Sequence, residues 1–153
     1  MQIEQTIEIA APPEDVFAIL SDPTKLPQWQ ASTVEVRRHA AGPLRVGERF
    51  HEVHAAFGRR VESTVEVAEC EPPRTLALHI VDGPLPLDGR WMLEPRDGGT
   101  RLQFRGEARL RGLLRAATPL LRSAVARQFD GHHRRLKQLA EDRPTPWDAR
   151  TAT

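Results

Sequence analysis

Two groups of residues have the types and spacing for chemistry. Glu52 and His54 stand two apart in a strand-like stretch from Gly47 to Phe57. On one strand face their Cα atoms would lie roughly 6–7 Å apart. A carboxylate beside an imidazole sets its tautomer, and the pair could serve as a general acid/base. The plainer reading is two polar residues at an exposed strand rim. The second group is His132 and His133, on the long helix near the C-terminus. His132 falls on the apolar stripe. It is read either as a core histidine bonded to a nearby acceptor or as a polar anchor in a cavity. Adjacent helical residues point about 100° apart, so these two rings do not share a metal ion easily. Neither HExxH nor CxxC spacing occurs, and there is no GxSxG, P-loop or dinucleotide fingerprint. No metal and no cofactor is therefore expected.

The remaining chemically able side chains have simpler readings. His79 should point outward, opposite Leu78 and Ile80, and His39 lies near a strand end. Arg38 is read as a solvated side chain or as an anion anchor. Cys70 is the only cysteine, so no intramolecular disulfide can form. It reads as a strand-end residue, not a nucleophile.

These residues must be positioned by a sheet and a helix. From Pro119 to about Ala140 the spacing predicts one long amphipathic helix. Leu121, Val125, Gln128, Phe129, His132, Leu136 and Leu139 form its stripe, and Arg122, Arg127, Asp130, Arg134, Arg135 and Lys137 its opposite face. Before it, alternation marks a first strand over Gln2–Ile9. Pro13-Glu14-Asp15 opens a helix, ended by Ser21-Asp22-Pro23. A second short helix, Thr24 to Gln28, is expected to be interrupted at Pro27. Six strands follow with turn signals every few residues, which argues for a meander. A short linker helix spans Gly112 to Ala117. The only surface broad enough to cover the helix stripe is the strand-rich region from Ser32 to Leu110.

The stretch after Gly47 supports two registers. In one, Phe50, Glu52, His54 and Ala56 face the helix. In the other, His51, Val53, Ala55 and Phe57 do, and this set is the more apolar.

Composition bounds the rest. A length of 153 residues suits one domain with a real core. The formal net charge is +1, so nothing global calls for nucleic acid. Between Arg109 and Arg143 nine Lys or Arg residues stand against three acidic ones. That cluster lacks interleaved aromatics, so it reads as a solvated face or a weak contact to an anionic membrane surface. The first residues show no basic start and no apolar run of a signal peptide. No apolar stretch is long enough to span a bilayer. A cytoplasmic protein is expected, with residues 143–153 a disordered tail.

Several stretches are similar to a known family. They are Ile9-Ala10-Ala11-Pro12-Pro13-Glu14-Asp15-Val16-Phe17, Leu20-Ser21-Asp22-Pro23 with Trp29, and Val46-Gly47-Glu48-Arg49-Phe50. Glu69-Cys70-Glu71-Pro72-Pro73-Arg74, Gly98-Gly99-Thr100-Arg101-Leu102 and Leu136-Lys137-Gln138-Leu139-Ala140-Glu141 add to them. Over residues 2 to 142 the chain resembles the START-like, Bet v 1-like superfamily, and within it the polyketide cyclase/dehydrase-like group. The resemblance implies an α+β helix-grip fold. About seven antiparallel strands would curve around the C-terminal helix, with two short helices between strands 1 and 2. It makes residues 1–142 one ligand-binding domain, and it favours the Glu52 and His54 register.

The resemblance also implies a cavity between sheet and helix for a small hydrophobic molecule. Its expected wall is Trp29, Phe50, Val65, Leu78, Trp91, Leu93, Phe104, Val125, Phe129 and His132. The other reading is a polyketide cyclase or dehydratase in which Glu52 and His54 carry the catalysis. A monomer or a homodimer is expected.

Overall fold

Alternating strands, broken at Gly and Pro, build the sheet that the sequence predicts. β1 (Gln2–Ile9) leads to α1 (Pro13–Leu20), a 3-10 turn (Pro23–Lys25) and α2 (Leu26–Trp29). Then come β2 (Thr33–Arg37), β3 (Arg49–Ala56), β4 (Arg59–Glu71), β5 (Thr75–Asp82), β6 (Leu87–Arg96) and β7 (Gly99–Ala108). A single turn, α3 (Leu113–Ala116), precedes the long α4 (Thr118–Glu141). The computed structural model describes residues 1–56 and 58–142. Phe57 and the expected tail from 143 to 153 lie outside the described residues, as does the side chain of Ala56.

The seven strands form one antiparallel sheet in the order β1-β7-β6-β5-β4-β3-β2. Consecutive strands from β2 to β7 are neighbours, and β1 closes the far edge beside β7. The two short helices carry the chain from one edge to the other. Register shifts between Thr64 and Val65 and between Val67 and Glu69 mark bulges in the β4–β5 pair. Bulges bend a strand and raise its twist, which helps the sheet curve. This is the helix-grip fold that the resemblance implies.

Pro27 does not interrupt α2 but sits in its first turn. There the missing N–H would have had no partner, so proline is tolerated. Asp22 caps the preceding turn by accepting a hydrogen bond from the Thr24 N–H at 3.0 Å.

α4 lies across the concave face and packs most closely against α1, β1 and α2. Side chains fasten both flanks. Gln5 Nε2 donates to the Ala126 carbonyl at 2.8 Å, and Lys137 Nζ donates to the Glu8 carbonyl at 2.7 Å. Arg135 Nε donates to the Gln28 carbonyl at 2.9 Å. Trp29, Phe50, Val67, Leu76, Leu102, Phe104 and Leu136, all fully buried, fill much of the interior. Among the described residues no helix is long and apolar enough to cross a membrane.

Candidate functional site

β3 and β4 pair so that Phe50 meets Val65, Glu52 meets Ser63 and His54 meets Val61. Val61, Ser63 and Val65 line a cavity beneath α4, and so do Glu52 and His54. The face of β3 that carries Phe50, Glu52 and His54 is therefore the concave one. Val53 is buried too, but it alternates to the other face and stands apart from the core cluster.

The cavity has a volume of about 240 Å³. That exceeds the roughly 150 Å³ known to admit a benzene ring and falls below the usual ~300–1,000 Å³ of ligand sites. Val61, Val65, Leu78, Ile80, Leu87 and Trp91 supply the sheet wall. Pro84 and Leu85 come from the β5–β6 loop, and Val125 and Phe129 from α4. Gly89 leaves the Trp91 ring its place: a Cβ there would come 3.1 Å from that ring.

The polar lining residues gather on the β2–β3 side. Glu52 Oε2 lies 3.1 Å from His54 Nε2. His54 Nδ1 lies 3.4 Å from the Thr33 hydroxyl, which in turn donates to Gln30 Oε1 at 3.1 Å. Each nitrogen of His54 thus has a polar neighbour, the closer being Glu52, and the residue lines the cavity. Gln128 Nε2 donates to Ser32 Oγ at 3.1 Å, and both residues line the cavity. A carboxylate-held imidazole in a largely apolar chamber can move a proton to or from a bound molecule.

His132 completes the lining from α4. Its ring is buried, and Nδ1 has no hydrogen-bond partner among the described residues. Burial strips water from the charged form and His54 repels it, so its pKa falls to about 4. At neutral pH it is an uncharged ring with hydrogen-bonding capacity left over. Trp29 Nε1 is likewise buried without a partner among the described residues.

His133, which the sequence reading weighs only as a neighbour unable to share a metal with His132, has a structural role of its own. It is equally buried but faces the solid half of the interior. Trp91 Nε1 donates to His133 Nε2 at 3.0 Å. With Nε2 accepting, Nδ1 carries the proton, and it sits 2.7 Å from Gln5 Oε1. Burial, with His132 beside it, lowers its pKa to about 3. The bonded core histidine that is one of the two readings for position 132 is thus found at 133, while His132 lines the cavity. A signal existed in the adjacent pair itself: a helix wedged inside a curved sheet buries a stripe wide enough for both.

Val65, Leu78, Trp91, Val125, Phe129 and His132 stand on the cavity wall with Glu52 and His54. Trp29, Phe50, Leu93 and Phe104 do not line it and belong to the packed core. Aromatic packing holds two of them there. Phe104 stacks on Phe129 at 4.7 Å between centroids, and Trp29 meets Trp91 edge-on at 6.4 Å. Ser63 was overlooked, although a lone hydroxyl between Val61 and Val65 on an inward face marks a polar spot.

Arg38 is neither solvated nor free to anchor an anion. Its Nε lies 2.6 Å from Glu48 Oε2, and its NH2 donates to Glu48 Oε1 at 2.9 Å. Both side chains are about nine-tenths buried, and the guanidinium holds the Glu48 carboxyl below its usual range. The pair clamps the β2–β3 connection. His79 does face outward and bonds Asp88 at 2.8 Å through Nδ1. Burial pushes the Cys70 thiol up, which makes it a poorer nucleophile.

Comparison with curated protein sequences finds no match. Solved structures share the fold. The protein CV1439 from Chromobacterium violaceum superposes with a TM-score of 0.75 at 22% identity, covering 94% of this chain and 99% of that one. A START superfamily protein from Mycobacterium smegmatis gives 0.73 at 18% identity, covering 92% and 97%. DynU16, a protein of the dynemicin biosynthetic locus, gives 0.67 at 18% identity, covering 92% of this chain and 47% of that one. The family described as polyketide cyclase / dehydrase and lipid transport matches residues 1–141. Matched over nearly its whole described length, the chain belongs to that family.

Proposed function

We propose that the protein binds a small, mostly apolar molecule of one or two rings beneath α4. One observation carries this reading: a chamber of about 240 Å³ with aliphatic and aromatic walls faces a buried His132 ring that no described residue satisfies. The His132 ring is a polar group on an otherwise largely apolar wall, and a ligand hydroxyl or carbonyl would meet it there. The apolar body of the ligand would displace weakly held water from Val65, Leu78 and Phe129. The lone Cys70 fits a reducing compartment, and we place the protein in the cytoplasm.

Native mass spectrometry of protein purified from its host tests the reading, together with displacement of an apolar dye. Retention of a small lipid, isoprenoid-like or polyketide-like species is expected. His132→Leu should weaken dye displacement by polar-headed ligands about tenfold, as loss of one buried hydrogen bond predicts. No co-purifying species and no dye displacement would defeat it.

A second reading rests on the 3.1 Å contact between Glu52 and His54 inside the same chamber. In it, His54 acts as general acid/base in the cyclisation or dehydration of an aromatic poly-keto substrate, and Glu52 orients the ring. Loss of a general acid/base lowers turnover by about 10²–10⁴-fold. Unchanged turnover in His54→Ala and in His132→Ala removes this reading.

A further inference from the structure

Beyond β7 the chain changes character. From Arg109 to Phe129 it holds Arg109, Arg111, Arg115, Arg122 and Arg127, and no Asp or Glu. The same segment leaves large apolar side chains in water: Leu113 is 92% exposed, Leu120 80% and Leu114 49%. Arg109 meets Asp88 at 3.3 Å, while Arg111, Arg115, Arg122 and Arg127 make no ion pair among the described residues. Exposed leucines interleaved with unpaired arginines are not what a merely solvated face requires.

The position of the segment adds to its composition. The Arg109 N–H donates to the Pro86 carbonyl at 3.0 Å. That ties the segment to the loop whose Pro84 and Leu85 line the cavity. Val125, just over one turn beyond Leu120 on α4, also lines it. The leucine and arginine patch therefore adjoins the cavity.

We infer that the segment from Arg109 to Arg122 docks the protein on an anionic lipid surface. Leu113, Leu114 and Leu120 enter the boundary of the acyl layer, and the arginines spread their stems and meet lipid phosphates. Charge decides between occupants. A two-fold dimer through this face would set two groups of arginines against each other, whereas an anionic bilayer complements them. The docking does not depend on what the cavity holds. It brings the cavity wall next to the layer in which an apolar ligand would dissolve.

The test uses the full chain and unilamellar vesicles of phosphatidylcholine, with and without phosphatidylserine. Co-sedimentation is expected only with phosphatidylserine present, and added salt should release the protein. Arg115→Gln combined with Arg122→Gln should weaken partitioning by about 30-fold. Leu113→Ser combined with Leu120→Ser should weaken it while leaving the salt dependence in place. These side chains are exposed, so circular dichroism should be unchanged in both variants. Absence of binding to phosphatidylserine vesicles overturns the proposal, and so does binding that neither variant alters. A dimer seen by sedimentation without vesicles, and lost in the leucine variant, assigns the face to a second copy instead. Dye displacement from the cavity, measured alongside, separates failure of docking from failure of ligand binding.

Discussion

His132 and His133 are neighbours in the chain and look into opposite halves of the interior. His133 accepts from Trp91 Nε1, sits against Gln5 Oε1, and is surrounded by the packed rings of Phe104 and Phe129. His132 lines the cavity, and its Nδ1 has no partner among the described residues. The rings are alike in burial and in their low pKa, and they differ in what meets their nitrogens. The contrast separates two tasks. The half near β1 and β7 bonds the His133 ring on both nitrogens and holds α4 in place. The half near β3 to β5, from which α4 stands off, keeps the open volume in which we propose that a ligand binds.

Truncation on the two sides should give the largest difference. Phe104→Ala removes a fully buried ring from the packed half and should cost about 3–5 kcal/mol in urea unfolding. Leu78→Ala removes a half-buried side chain that already borders empty space and should cost only about 1–2 kcal/mol. Equal losses would mean that the hollow half is packed after all.

Replacing each histidine sharpens the contrast. His133→Phe leaves the Trp91 N–H and Gln5 Oε1 without their buried partner, a cost of about 3 kcal/mol for the two groups together. His132→Leu removes an unsatisfied ring, and the change in stability should stay within about 1 kcal/mol. Its effect should fall on ligand binding instead. A reversed order of the two melting temperatures would break the assignment of the halves.

A smaller effect should follow pH. His133 has a pKa of about 3 in the folded chain, below its ordinary 6.5. The unfolded chain therefore binds the extra proton first as pH falls. The stability that depends on the neutral ring is complete above about pH 6.5 and declines toward about pH 3. By pH 5 the loss from this ring should be about 2 kcal/mol. His132, at about 4, adds to the same slope. Denaturant melts from pH 7 to pH 5 measure it, and His133→Phe should flatten it. An unchanged slope in that variant would show that the ring is not held neutral by its surroundings.

Much of the fold was legible because its signals are local. The alternation of Val61, Val65 and Val67 marks β4, and Asp97-Gly98 marks the β6–β7 turn, where both residues adopt positive φ. The site was legible only in part. Both registers of β3 contain apolar residues. The cross-strand partners Val61, Ser63 and Val65 decided between them, and only the sheet supplies that neighbourhood. The Arg38–Glu48 clamp joins residues ten apart through a loop whose path no local pattern specifies. The exposure of Leu113 and Leu120 was hidden too, since an apolar residue in a helix ordinarily implies burial.

The sequence by itself determined the element order, the turns, the amphipathic terminal helix and the shortage of charge on its buried stripe. Periodicity and turn chemistry act over a few residues and can be read without a fold. Tertiary structure alone decided which imidazole is satisfied and which is left open, where packing stops and the cavity starts, and which leucines remain in water. Those outcomes depend on distances between segments far apart in the chain. Gln5 and His133, 128 positions apart, meet only because the sheet curves around the helix.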